Sequence, residues 1–162
     1  EEQPLDEIYS LIQINTTALI HLTRAVIPGM IKRGKGKVIN NSSVSAFMHF
    51  PCASTYAASK AAVVAFTNCI ESELQGTGVS TLCLITPGVK TRMFDDIESK
   101  YSKNLKVPQG YISAKDYALQ IKFAIESDEK YLLPKGTTSI GLWIAKYLNP
   151  IFRSFVSRQF HR

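Results

Sequence analysis

The sequence predicts an α/β fold built on a parallel sheet, and three observations carry that prediction. Short apolar, β-branched runs occur at 37–41, 79–86 and 130–134, without the in-out alternation of a strand with one wet face. Longer segments at 6–32, 54–73 and 113–126 separate them, with apolar residues at helical spacing. Gly34, Gly36, Gly76, Gly78, Pro134 and Gly136 punctuate the boundaries between the two kinds of segment.

In the first helical segment, Asp6 and Glu7 suit the positive N-terminal end of a helix. Ile8, Leu11, Ile12, Leu19, Leu22 and Val26 then recur on one face, and the helix should run to about Lys32 before Gly34 and Gly36 stop it. Pro28 predicts a kink or irregular last turns. Asn15 interrupts the apolar face, and by its residue type alone it is a buried amide bonded to nearby backbone.

The strand at 38–41 is expected to be covered on both faces, as parallel strands are. Ser43 then falls at its C-terminal end, where ligands bind in open α/β sheets. The following stretch, 44–53, contains Phe47, Met48 and Phe50 and is too apolar for a merely solvated connector. His49 within it is either a third acid/base group or a histidine on the surface or pocket wall.

Tyr56 and Lys60 stand four residues apart in the Ala-rich helix that follows, so their side chains leave one face a turn from each other. A phenol alone is a poor proton donor or acceptor at neutral pH, with a pKa near ~10, whereas a neighbouring ammonium favours the phenolate form. Such a pair can exchange protons with a substrate. By spacing alone it is more often a solvated surface pair; Ser43 upstream is what argues for chemistry.

These residues together resemble the short-chain dehydrogenase/reductases of the classical type, over residues 5–133. The Tyr-x-x-x-Lys pattern falls on Tyr56 and Lys60, the family's serine on Ser43 and its helix asparagine on Asn15. The Pro-Gly turn after the next strand falls on Pro87 and Gly88, with Val89 and Thr91 behind it. The threonine departs from the pattern, lying four residues after the proline where the family has five. As a threonine in that turn it would hold a cofactor; the alternative is that it caps a short helix starting near Arg92.

The resemblance implies a Rossmann-like doubly wound parallel sheet, of which this chain holds the C-terminal half, three strands with flanking helices. The Gly-rich turn that receives a cofactor pyrophosphate is absent, since no G-x-G-x-x-G occurs. Glu1 is therefore expected not to be the natural start, and residues 1–162 alone are expected to be inactive. A half-sheet would leave one sheet edge and two helix faces uncovered.

What the resemblance implies for function is reversible hydride transfer between NAD(P)(H), with NADP slightly preferred, and a small-molecule carbonyl or secondary alcohol. Tyr56 would exchange the proton, Ser43 orient the substrate oxygen, Lys60 assist the tyrosine and bind the nicotinamide ribose, and Asn15 hold a water in a proton relay to Lys60. Tyr56, Lys60, Pro87, Gly88, Val89 and Thr91 would contact the cofactor. Ser43, Phe47, Met48, Met93 and Phe94 would contact the substrate, whose apolar pocket suggests a lipid-like or aromatic carbonyl. Small residues on the helix at 55–75, with the helix at 6–32, imply a homodimer or homotetramer.

Composition agrees with one globular domain, at 162 residues, 45% hydrophobic and 20% charged. Cys52, Cys69 and Cys83 have no metal-like spacing and favour reduced thiols in a cytoplasmic setting, with Cys69 and Cys83 expected in the core. Residues 1–134 carry 14 basic and 13 acidic side chains, whereas 135–162 carry five basic and none acidic. The net charge of +6 thus belongs to the tail and gives no argument for nucleic acid binding.

Residues 1–134 are accordingly expected to form the half-domain and 135–162 a helical tail. Asn149 and Pro150 read as a cap and first turn, and Ile151, Phe152, Phe155, Val156 and Phe160 as one apolar face of a basic amphipathic helix. Such a helix can lie on an intracellular membrane, cover an active site or join protomers. No run approaches ~18 apolar residues, so no span is expected. The rival classes are a catalytically silent scaffold of the same fold and a membrane-surface module centred on the tail.

Overall fold

Glu and Asp in the first turn open α1 (Leu5–Ile12), and one helical rod continues from it to Lys32. The rod is not uniform. Residues Gln13–Thr17 form a π-helical turn before α2 (Ala18–Lys32) resumes the α geometry. The apolar spacing, read at the α-helical period throughout, does not predict this turn. Pro28 does not break α2: the carbonyl its missing N–H would have bonded belongs to exposed Arg24, where water can serve it. Gly34, at φ +64°, then ends the helix. The computed structural model describes residues 3–91 and 111–158.

β1 (Gly36–Asn41) pairs in parallel with β2 (Val79–Leu84), Gly36 opposite Val79 and Asn41 opposite Leu84. β2 pairs in parallel with β5 (Tyr131–Leu132), giving the order β1-β2-β5. Between them lie α3 (Ser54–Glu73), the two short strands β3 (Val89–Lys90) and β4 (Ile112–Ser113), which pair with each other, and α4 (Ala114–Glu126). Gly78, at φ +78°, is fixed by close approach: a Cβ there would lie 2.0 Å from the Gly34 carbonyl oxygen, so the turn before β2 seats on the turn before β1.

The pleat divides the sheet between two sets of helices. Leu82 and Leu84 pack with Tyr117 and Ala124 of α4 and with Leu132, while Cys83 and Ile85 pack with Val64 of α3 and with Ala46. Ile39 lies opposite Leu82 and so shares the α4 face, but within the three-stranded sheet α4 packs on β2 and β5. Ile39 is consequently 41% exposed on the edge strand, as a half-sheet with one uncovered edge is expected to be, so within residues 1–162 β1 is not covered on both faces at this residue.

Cys69 also departs from expectation, being exposed while Cys83 is buried. The buried stripe of α3 runs through Lys60, Val63, Val64, Thr67 and Ile70, and Cys69 shares the opposite side with Ala58 and Ala65. Burial pushes the Cys83 thiol up to about 11, despite a bond with Thr67 that pulls the other way.

The tail forms two helices, α5 (Thr137–Tyr147) and α6 (Asn149–Ser157). Asn149 is the first residue of α6 rather than its cap, and Pro150 sits in the first turn as predicted. The single apolar face expected for this segment is split. Phe152 and Val156 are buried with Ala145 against Met48 and Phe50, while Ile151 and Phe155 point to solvent. Among the described residues no helix is long and apolar enough to cross a membrane.

Candidate active site

The site is assembled where β1 ends, the π turn passes and α3 begins. Beyond Asn41 the backbone of Ser43 is extended, at φ −153° and ψ 159°, and its Oγ accepts a bond from Ser45 N at 3.2 Å. That contact caps a 3-10 turn at Val44–Ala46 and leaves the Ser43 hydroxyl proton free to be donated. Val44 N donates to Thr86 O, which ties this turn to the end of β2.

Tyr56 lies in the first turn of α3 and is half-buried; Lys60, one turn on, is 9% exposed. The Lys60 Nζ sits 5.7 Å from the centre of the Tyr56 ring and donates to the Asn41 carbonyl oxygen at 2.9 Å. Burial lowers the Lys60 pKa from its ordinary value. The ammonium is therefore held by a backbone oxygen at the strand's end, close to the phenol ring, in the pairing that the spacing predicted.

Asn15 reaches the same place through the π turn. Its Nδ2 donates to Ser59 Oγ at 3.1 Å, Thr16 Oγ1 donates to Ser59 O at 3.3 Å, and Ser59 Oγ donates to Tyr56 O at 2.7 Å. Asn15 is thus bonded to α3, not to its own helix as its residue type alone suggested. Asn15, Asn41 and Lys60 line an open cleft of about 490 Å³ between α2 and β1, with Leu22, Val26 and Ile39 as its apolar walls.

Several residues that sequence reasoning passed over hold this arrangement. Asn41 Oδ1 accepts from Thr86 Oγ1 at 2.5 Å, and Thr86 Oγ1 lies 2.9 Å from the Tyr117 hydroxyl, so β1, β2 and α4 meet at one polar chain. Burial raises the Tyr117 pKa, against the opposing effect of its bond with Thr86. Ser42 Oγ donates to Lys60 O at 2.8 Å, and buried Asn40 donates to Thr67 Oγ1 at 3.0 Å. The one available signal was the run Asn40-Asn41-Ser42, polar residues in a strand otherwise built for burial.

The remaining predicted residues fall into three groups. Gly88 and Val89 join the short β3–β4 pair, Gly88 O accepting from Ile112 N at 3.0 Å and Val89 packing against the core cluster of Leu82, Leu84 and Tyr117, while Pro87 precedes them. Phe47 packs beside Val64 and Ile85, Met48 and Phe50 pack under the tail, and His49 is exposed. Thr91 is exposed at the bend after β3, and Met93, Phe94 and the helix start near Arg92 lie outside the described residues. An open cleft of about 530 Å³ at the opposite ends of the strands, near Gly36 and Gly78, contains none of these residues.

A nicotinamide nucleotide fits the donors present at its nicotinamide-ribose end. An ammonium has three N–H donors, and the bond to Asn41 O takes one, leaving a desolvated Lys60 with donors for ribose hydroxyls. The residues for the pyrophosphate end, a Gly-rich turn, are not in this sequence.

Known proteins share this architecture and this sequence pattern. A crystal structure of a short-chain dehydrogenase from Burkholderia cenocepacia in complex with NADP matches with a TM-score of 0.81 at 17% identity, covering 96% of this chain and 61% of that one. A short-chain dehydrogenase from Sphingobium yanoikuyae in complex with NADPH matches with a TM-score of 0.73 at 24% identity, covering 96% and 58%. Both show likeness of fold.

By sequence, a 2-dehydro-3-deoxy-L-rhamnonate dehydrogenase (NAD(+)) of Sphingomonas is 30% identical over 131 residues, and a 3-oxoacyl-(acyl-carrier-protein) reductase of Haemophilus influenzae is 31% identical over 137. These alignments cover 79% and 82% of this chain but 52% and 55% of the relatives, so the chain spans about half the length of the curated relatives it matches. The family model for short chain dehydrogenases matches residues 1–102. With the parallel sheet, the Tyr56–Lys60 pair over the end of β1 and this match, the chain belongs to the short-chain dehydrogenase family.

Proposed function

We propose that this chain supplies the catalytic half of an NAD(P)(H)-dependent oxidoreductase that interconverts a carbonyl and a secondary alcohol. The observation that carries this reading is the buried Lys60 ammonium, bonded to Asn41 O and lying 5.7 Å from the centre of the Tyr56 ring. Residues 1–134 form that half and 135–162 an appended tail.

In this reading the Tyr56 hydroxyl passes its proton to the substrate oxygen during reduction and recovers it during oxidation. Ser43 donates a hydrogen bond to the same oxygen, stabilising the charge that develops on it. The Lys60 charge stabilises a phenolate at Tyr56 and binds ribose hydroxyls, while Asn15 positions α3 through Ser59. A bound nicotinamide supplies or accepts the hydride. Pro87, Gly88, Val89 and Thr91 would hold its carboxamide. NADP is slightly preferred over NAD in this reading; two solved structures of similar fold hold NADP and NADPH, and one relative by sequence is named for NAD(+). The apolar character of Phe47, Met48, Met93 and Phe94 favours a lipid-like or apolar substrate.

A homo-oligomer through 6–32 and 55–75 belongs to the same reading. Leu5 and Tyr9 are 67% and 70% exposed on α1, and Ala58 and Ala65 of α3 are exposed as well, a smooth surface for a second copy.

The test joins residues 1–162 to an upstream Gly-rich dinucleotide-binding segment and follows NADPH and NADH fluorescence, then turnover of a panel of apolar ketones. Binding and turnover are expected from the extended chain, with Tyr56→Phe and Lys60→Met each lowering kcat by about 10²–10⁴. Turnover of both variants at the parent rate would overturn the assignment.

A further inference from the structure

The tail presents two unlike surfaces. Its inner one, Ala145, Phe152 and Val156, is buried against Met48 and Phe50, and the Phe50 and Phe152 rings meet edge to face at 5.8 Å. Its outer one carries Ile140, Trp143 and Tyr147 at helical spacing on α5 and Ile151 and Phe155 one turn apart on α6. All five are between 55% and 62% exposed. The Trp143 and Tyr147 rings lie side by side, 5.7 Å between centres. Exposed Lys146 lies on α5, its Nζ between the Phe47 and Tyr147 rings, exposed Arg153 lies on α6 and exposed Arg158 follows its last turn; residues 135–162 contain no acidic side chain.

Apolar and aromatic side chains left this open mark a binding surface. A second copy presenting the same face would bring two wholly basic tails together, and like charges oppose that pairing. An anionic bilayer satisfies every feature at once. Its phosphates take the cations, its headgroup region takes amphipathic Trp and Tyr rings, and its acyl boundary takes Ile and Phe.

We propose that the outer face of α5 and α6 docks in the plane of an anionic membrane surface. Neither helix spans the bilayer: α5 has 11 residues and α6 has nine. The inference rests on the tail's surface and is independent of the oxidoreductase reading.

Trp143 is the only tryptophan of the chain, so its emission reports this face alone. On titration with vesicles of phosphatidylcholine containing phosphatidylglycerol, its emission is expected to shift to the blue and to be quenched by lipids brominated on the acyl chains. Each cation contributes about fivefold to affinity, so Arg153→Glu with Arg158→Glu should weaken binding by more than about tenfold, as should added salt. Phe155→Ser should lower affinity while leaving the far-UV circular dichroism unchanged, because the side chain is exposed. Three results overturn the proposal. They are emission indifferent to anionic vesicles, equal binding to pure phosphatidylcholine with no effect of charge reversal, and a blue shift that follows protein concentration without lipid and coincides with a dimer mass.

Discussion

The beginning of α3 and the tail helices are both attached to the same sheet, but by different physics. At α3, Asn15, Ser42, Ser59, Lys60 and Asn41 are joined by bonds of 2.7–3.1 Å that fix both distance and direction. At the tail, Phe152, Val156 and Ala145 are held by apolar contact with Met48 and Phe50, and the side-chain bond from Asn149 goes to Ala145 of the tail itself. Directional bonds hold reacting groups at set positions, as chemistry requires. Apolar burial holds a segment in place while leaving its outer face free to serve another purpose.

That contrast is sharpest at Phe152. Phe152→Ala should cost about 3–5 kcal/mol in urea unfolding if the tail unfolds with the sheet, because a large buried ring leaves a cavity. If instead the tail detaches alone, the loss will appear as a separate early transition with the Lys60 environment unchanged.

Glu71 offers the polar counterpart at the far end of α3. Its carboxylate accepts from Thr81 N at 2.9 Å, Thr81 Oγ1 at 2.7 Å and Lys130 Nζ at 2.9 Å. Burial alone would raise its pKa, but the bonds from Lys130 and Thr81 outweigh it and the net shift is downward. A carboxylate whose folded pKa is depressed stabilises the fold above its unfolded pKa, and that contribution is lost as pH falls through the folded value. Glu71→Gln should therefore cost about 1–3 kcal/mol at neutral pH, with the gap to the parent closing in acid below the ordinary glutamate range. A gap independent of pH would show that the charge is irrelevant there.

Smaller effects complete the comparison. Asn15→Ala removes one bond to Ser59, whose hydroxyl keeps its bond to Tyr56 O, and should cost about 1 kcal/mol by thermal or urea denaturation. Phe155 lies on the same helix as buried Phe152 but points to solvent, so Phe155→Ser should change stability by less than about 0.5 kcal/mol. A large loss there would mean that α6 buries a second face.

Much of this was legible before any coordinates. Tyr56 and Lys60 declare themselves because a helix has a fixed period, and Ser43 because a strand's end is marked by small polar residues after apolar ones. Asn15 was recognised as a residue but not for its contact, since its partner Ser59 lies 44 residues away on another helix and helical spacing is a local signal. Asn41 and Thr86 were missed because a backbone carbonyl that holds an ammonium has no side-chain signature, and a threonine at a strand's end is ordinary.

By itself, then, the sequence determined the order of helices and strands, the parallel sheet, the residues of the Tyr56–Lys60 pair and the basic tail, all of which follow from local periodicity, turn chemistry and charge. Tertiary structure alone decided that β1 exposes Ile39, that Cys69 faces outward and that Phe152 turns inward while Phe155 does not. The physical reason is that spacing fixes which residues share a face, whereas which face is covered depends on what packs against it.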